Sequence, residues 1–388
     1  MRLDEPFSSR KQHMEINCVT MVRQDAPYNS RSFVSGLILV TFGLLTVHLT
    51  SSINAEQPGN TTDNSEQFAA IDEAVAEFQK LIGCEAVTIA ISRNGKMIYS
   101  KGYGWKDAEH TIETPADALM RIASVSKSIT CSAIKSLVRD GKLSLDDKIF
   151  DLLELSEPRN EEFDSRWRDI TVAHLLKHEG GWDRDETFDP MFRTREVEKQ
   201  YRLRGKAQPE DMIRYMLAKP LQFDPGSRSS YSNFGYCLLG RVVEKASGMT
   251  YQNYIQQKLF DPLRIKDIQQ GRDRPRDWDP REVEYPIKTL RVEVMDSHGG
   301  LIASAPALSK YMEHYWLDGK LRNPQRYYWT YFGSLPGTTA MALQRIDGFN
   351  VVVLCNGRRD ESYNEDNLFL KSSIEKAVNE IRLGNDES

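Results

Sequence analysis

The stretch Ile122-Ala123-Ser124-Val125-Ser126-Lys127-Ser128-Ile129-Thr130-Cys131-Ser132-Ala133-Ile134 decides how this 388-residue chain is read. Apolar side chains recur at Ile129, Ala133, Ile134, Leu137 and Val138, the spacing of one buried helical face. Asp140-Gly141 then supplies a stop. Residues three apart on a helix share a face, so Ser124 and Lys127 point into one cleft. A helix beginning at Ser124 also places its hydroxyl in the partial positive field of the helix N-terminus. A free serine is a weak nucleophile and needs a base beside it. Further along, Tyr231-Ser232-Asn233 offers a phenol between a Pro225-Gly226 turn and an apolar helical run over 234–243. Two proton routes follow. Lys127 takes the serine proton if burial or a neighbouring cation neutralises it, or it stays charged and stabilises a Tyr231 phenolate that takes the proton. The sequence leaves both open, and both make serine hydrolysis the expected chemistry.

The four-residue pattern recurs at Ser8/Lys11, Ser132/Lys135 and Ser373/Lys376, and Tyr-x-Asn recurs at Tyr251/Asn253. Context separates them. Ser8 precedes an apolar N-terminal segment, Ser132 is in the middle of the same helix as Ser124, and Ser373 is on a charged C-terminal helix. Tyr251 falls at the start of another amphipathic run.

Longer stretches carry a family resemblance. They are 170–178 (ITVAHLLKH), Phe223-Asp224-Pro225-Gly226, Leu238-Leu239-Gly240, 299–304 (GGLIAS) and 333–338 (GSLPGT). With the Ser-x-x-Lys and Tyr-x-Asn motifs, in this order, the chain resembles the serine β-lactamase-related group from about residue 68 to the C-terminal helix. That group contains class C β-lactamases, DD-carboxypeptidases and β-lactamase-like esterases. The resemblance implies that Ser124 is acylated, Lys127 is its partner and Tyr231 moves the proton, while Asn233 orients Lys127 and a substrate amide. It also implies an oxyanion hole from the Ser124 and Ser334 amides, with Gly333 allowing close approach. No metal or organic cofactor is implied. The substrate expected is a small-molecule ester, an amide or a peptidoglycan-like compound.

One departure bears on substrate. The group's third motif, Lys-x-Gly or His-x-Gly, reads Tyr331-Phe332-Gly333 here. The basic residue helps to hold a substrate carboxylate, and tyrosine forms no such ion pair. This points to a neutral ester, or an amide without a nearby carboxylate, ahead of a D-amino-acid amidase, DD-peptidase or β-lactamase. Arg358 or Arg359 is an alternative cation. The competing class is a non-catalytic binding or assembly module of the same fold, which has no chemical need for the full Ser124, Lys127, Tyr231 and Asn233 set.

The expected fold class is α+β. Patterning gives a helix over 68–81, strands over 87–92 and 96–103 joined by Asn94-Gly95, strands over 338–344 and 350–354, and a helix over 365–381; the resemblance implies that these strands close into one antiparallel sheet from both chain ends. A mainly helical lobe, about 121–305, is inserted between an α/β lobe of about 66–120 and 306–388. Residues 56–65 read as a polar linker. Within the leader, 1–55, the apolar run 34–49 follows Arg23 and Arg31 and precedes small residues, as in a secretory signal peptide. A retained membrane anchor is the alternative. Export, to the periplasm or outside, is the expected location, with membrane association through this segment as the variant. The net charge of −5 gives no reason to expect nucleic-acid binding. Cys84, Cys131, Cys237 and Cys355 sit in apolar or small-residue settings and read as buried thiols.

His174 and His178 are four apart, but no glutamate lies between them and no third ligand is evident, so they read as structural. His298, before Gly299-Gly300, is expected at the cleft, touching substrate or aiding the relay. Trp182, Arg184 and Asp185, after Gly180-Gly181, are expected in a loop near the cleft, where their mix of aromatic and charged groups suits substrate recognition.

Overall fold

The computed structural model describes residues 66–381 except 160 and 324–326. The expected leader and linker lie outside the described residues. Among the described residues, no helix is long and apolar enough to cross a membrane.

Among the described residues, eight strands form two sheets: β1 Ala86–Arg93, β2 Lys96–Gly104, β3 Met120–Arg121, β4 Ile268–Gln270, β5 Leu301–Ala303, β6 Trp329–Leu335, β7 Thr338–Gln344 and β8 Phe349–Cys355. The main sheet runs β2-β1-β8-β7-β6. Every neighbouring pair is antiparallel, and β1 pairs with β8 from Val87↔Cys355 to Arg93↔Phe349. The two chain ends therefore build one sheet. Asn94 and Gly95, at φ 50° and 85°, close the first hairpin in the two-residue conformation such a turn requires.

Alternation along the strands sorts side chains by size. Bulky Val87, Ile89, Ile91, Met341, Leu343, Val351 and Val353 pack under helices Ala69–Ile82 and Tyr363–Asn379. Ala86, Ala90, Ala340 and Ala342 face the other way, into the core shared with the helical lobe. Small residues on that face let helix Ala305–His314 and the turn that carries Ser124 come close to the sheet. The first terminal helix stops at Gly83, φ 65°, a left-handed C-cap. All four described cysteines are buried thiols outside any disulfide.

Short strands escaped the sequence reading, which took the middle of the chain as helix and loop. β3, β5 and β4 form a second sheet, with β3 and β4 both antiparallel to β5. Strands of two or three residues are too short to show a period of two. They still matter, because β3 leads directly into the turn that carries Ser124 and β5 follows directly on His298-Gly299-Gly300. A backbone bond from Ile122 N to Leu301 O, 3.0 Å, continues the pairing beyond β3.

Candidate active site

Ser124 lies in a tight turn, Ala123–Val125, that leads into helix Ser126–Arg139. The sequence places it at the helix start; the structure puts it just before the first α-helical residue. Its N–H therefore has no acceptor one turn earlier in the helix. Ala123, immediately before it, has φ 46°, a left-handed conformation that costs an alanine free energy and that its neighbours must impose. Gly333 of β6 is one such neighbour. A Cβ on it would lie 2.2 Å from Ile122 O and 3.1 Å from Ala123 Cβ, so only glycine lets β6 approach the turn this closely.

The polar side chains converge on Ser124 Oγ. Tyr231 donates its hydroxyl hydrogen to it at 2.7 Å, and Lys127 Nζ lies 3.2 Å away. Lys127 is fully buried and also donates to Asn233 Oδ1, 2.6 Å, and to the His298 carbonyl, 2.7 Å. Ser124, Asn233 and His298 thus account for the three donors of an ammonium group. Asn233 opens helix Asn233–Ser247, whose N-cap Ser232 accepts from Gly235 N at 3.0 Å. The starts of two helices from distant parts of the chain thereby meet at Ser124.

Burial is the main influence on these groups. It holds Lys127 well below the ordinary lysine range, with nearby Asp189 opposing and Arg184 assisting. Tyr231 is pushed up to about 12 by burial, while its hydrogen bond to Ser124 and the Arg184 charge act the other way. His178 is pushed down to about 3 by burial and by Lys127, so its ring is neutral at physiological pH. Its Nδ1 accepts from Ser232 N at 3.1 Å, and its ring stacks on Tyr231 with centroids 4.7 Å apart. In this arrangement Tyr231 is a phenol and Lys127 has the contacts of an ammonium ion. Burial favours a neutral Lys127 while its three acceptors favour the ammonium, so both proton routes from Ser124 stay open.

Along β6, Tyr331 and Gly333 face the nucleophile turn while Phe332 and Ser334 alternate to the other face. Tyr331 is buried and its side chain hydrogen-bonds with Tyr231. It is brought to the position expected for the third motif, and it brings no charge. Ser334 can serve the nucleophile only through its backbone, because its hydroxyl accepts from Arg358 Nη1 at 3.4 Å on the opposite face. Arg358 is bound there by Asp360, and Arg359 by Asp366. Neither arginine replaces the missing cation beside Ser124.

Two expectations change. Trp182 is 4% exposed and lies in an aromatic cluster, edge-on to Trp167 at 5.1 Å and to Phe234 at 4.8 Å. It is core, because Gly180-Gly181 turns the chain inward there: a Cβ on Gly180 would meet the indole at 2.4 Å. His298 does reach the site, but through its carbonyl oxygen. Its imidazole is buried, and burial together with Lys127 keeps it well below the usual histidine range. His174 caps helix Val172–Leu176 through Thr171, whereas His178 lies beyond that helix with φ 60°, so the pair forms no metal site. Among the described residues, no group of three or more potential ligands is placed to hold a metal ion.

The structure adds Asp189 to the residues identified from the sequence, puts Arg184 of the expected cleft loop on the Tyr231 ring, and stacks His178 against the same ring. Asp189 Oδ2 accepts from Asn233 Nδ2 at 2.6 Å, which fixes the carboxamide with its oxygen toward Lys127. Its Oδ1 accepts from Met191 N at 3.0 Å, so the carboxylate is itself held. Asp-Pro at 189–190 reads locally as a turn signal, and nothing in sequence spacing links it to Asn233. Asp189→Asn is expected to lower kcat/KM about ten- to a hundred-fold by releasing the Asn233 amide. Activity equal to wild type would show that Asn233 needs no such anchor.

The sheet and the site together define the β-lactamase/transpeptidase-like fold, that of a family of serine hydrolases. A family model described as Beta-lactamase matches residues 71–353, and the chain belongs to that family. It is 36% identical over 178 residues, 44% of this chain, to a Dichelobacter nodosus protein that carries the name of a fimbrial assembly protein, FimD of serogroup D. The match covers 41% of that relative, and the chain spans less than half the length of the curated relatives it matches. Among solved structures, a β-lactamase/D-alanine carboxypeptidase from Yersinia pestis superposes with a TM-score of 0.63 at 14% identity, over 82% of this chain and 100% of that one. A D-amino acid amidase from Ochrobactrum anthropi superposes with a TM-score of 0.62 at 18% identity, over 82% and 100%. At these identities the likeness is one of fold.

Proposed function

We propose that the protein is an esterase acting on an ester that is neutral around its scissile bond. The reaction runs through an acyl-Ser124 intermediate. Ser124 Oγ attacks the carbonyl carbon as its proton passes to the Tyr231–Lys127 pair, and the oxyanion is met by the Ser124 and Ser334 amides. The leaving alkoxide takes the proton, and water then releases the acid by the reverse path. The observation that carries the choice of substrate is Tyr331. The β6 position facing the nucleophile holds a phenol tied to Tyr231, where a carboxylate-binding enzyme needs a cation.

Tyr331→Lys tests this. Activity on carboxylate-bearing amides and β-lactams is expected to rise relative to activity on p-nitrophenyl butyrate by about tenfold or more, the scale of one new charge-assisted hydrogen bond. An unchanged ratio in a folded variant would remove Tyr331 as the determinant. The name of the Dichelobacter relative favours a second reading, an assembly module without turnover. Labelling of Ser124 by a fluorophosphonate decides between the two.

Export is part of the proposal and rests on the apolar run at 34–49 with arginines before it. N-terminal sequencing of the secreted form should begin near Glu56. A chain kept inside the cell with its first residues intact would refute it.

A further inference from the structure

Two cations lie against the Tyr231 ring. Lys127 Nζ is 4.8 Å from its centroid and Arg184 Cζ is 4.7 Å. Lys127 belongs to the relay, but the reaction as described gives Arg184 no task. Its approaches to carboxylates are long: Nη1 is 3.9 Å from Asp189 and Nε 3.9 Å from Asp185, whose side chain is 91% exposed. Neither is a hydrogen bond, so neither carboxylate fastens the guanidinium, and the aromatic face is its packed contact. The loop beneath it is fixed. Asp183 is buried, is ion-paired to Arg228, accepts from Asp185 N at 3.0 Å, and its own N–H donates to Gln222 at 3.1 Å. A planar cation is thus held on the ring of the phenol that touches the nucleophile.

We propose that Arg184 is a positioning residue of the proton relay: stacked on Tyr231, it holds the phenol against Ser124 and favours the deprotonated relay that receives the serine proton. This rests on the hydrolase reading above. The bonds balance without Arg184 reacting. In the deprotonated relay the Ser124 O–H bond breaks as its proton goes to Tyr231 oxygen or Lys127 nitrogen, the Oγ–acyl bond forms, the acyl–alkoxy bond breaks, and the proton leaves with the alkoxide. The need for such a cation follows from β6, which presents a neutral Tyr331 to the ring.

Other groups face the relay from every side. Ser124 and Lys127 come from the nucleophile turn and its helix, Tyr331 from β6, and Asn233 and Tyr236 from the opposite helix. Neutral His178 stacks on the ring, His298 contributes its carbonyl and a nearby neutral imidazole, and Asp185 and Asp189 flank Arg184. Cys131, on the nucleophile helix, adds a further weak influence on Lys127. Among these groups, Asp189 works against Arg184 at both Lys127 and Tyr231. The sign of the Arg184 effect is the same for both proton routes. A fixed positive charge favours neutral lysine over ammonium and phenolate over phenol, so it extends activity to lower pH whichever group is the base. The proposal therefore does not depend on which base operates.

The test uses the full-length chain and the rate of fluorophosphonate labelling at Ser124 across pH. This reads nucleophile activation without needing the natural substrate: Oγ–P forms, P–F breaks and fluoride leaves. In Arg184→Gln the midpoint of the rise in rate with pH is expected to move up by about one unit, the scale of losing one partly screened charge. Arg184→Lys should return it at least half-way, and Arg184→Met carries the same expectation as the glutamine variant should that one fail to fold. An unmoved midpoint in a folded neutral variant, whatever its rate, overturns the proposal and leaves Arg184 a structural or substrate contact. Wild-type protein that is never labelled overturns the hydrolase reading, and this inference with it.

Discussion

Ser124→Ala is expected to abolish labelling by a fluorophosphonate and to lower ester hydrolysis by about 10⁴-fold or more, to the level left by binding and the oxyanion donors. The loss should be this large because no other hydroxyl can replace Ser124. Ser132, the other described Ser-x-x-Lys serine on the same helix, is buried and bonded to Tyr311 at 2.6 Å, away from the cleft. The fold should be untouched. Ser124 Oγ accepts from Lys127 and Tyr231, and both keep other partners, Asn233 and His298 for the lysine and Tyr331 for the phenol. Intact-mass analysis after labelling, beside a thermal melt, checks both halves. Adduct formation in the alanine variant would place the nucleophile elsewhere and undo the assignment of the whole site.

The second large effect should come from a residue with no functional group. Gly333→Ala sets a Cβ 2.2 Å from Ile122 O, backbone that cannot rotate away. Either β6 or the nucleophile turn must move by about an ångström, and a misplacement of that size costs about a hundred-fold in rate. The Ser334 amide moves with β6, and weakening one oxyanion donor costs a similar factor. We expect kcat/KM to fall by about 10²- to 10³-fold, while stability falls by only about 1–3 kcal/mol, as for other overpacked sites. β6 is an edge strand, paired only to β7, so it can shift without breaking the interior of the sheet. Steady-state kinetics on p-nitrophenyl butyrate with a denaturant melt of the same sample separates the effects. A folded variant within a few-fold of wild type would mean that the contact between β6 and the turn does not set the oxyanion hole.

Much of the site was legible because its chemistry is local. Ser124 and Lys127 lie within one helical turn, so their shared face follows from helix geometry. Asn233 and Tyr231 adjoin the start of the next apolar helix. Tyr331 and Gly333 were placed by the third motif of the resemblance, and β6, which puts them on one face of the sheet, was not read from the residues themselves. The hairpin at Asn94-Gly95 and the alternating strands on both sides of it were legible for the same reason, since a turn type and a period of two are properties of adjacent residues.

What the sequence by itself determined is therefore the longer helices, the strands next to both chain ends and the residue types on their faces, but not the short strands of the second sheet. Tertiary structure decided which of those faces meet. Asp189 reaches Asn233, and Arg184 and His178 reach Tyr231, through packing between segments separated by dozens of residues, a relation no periodicity encodes. Trp182 looked like a cleft residue because a glycine-rich turn and neighbouring charges surround it in sequence. The fold put its indole between Trp167 and Phe234, where an aromatic ring loses more water contact than at a half-wetted loop. His298 was noticed for its imidazole, yet a buried lysine needed a third acceptor, and the carbonyl at that position supplied it. Side-chain identity is written locally, but satisfying a buried charge is settled only when distant backbone closes around it.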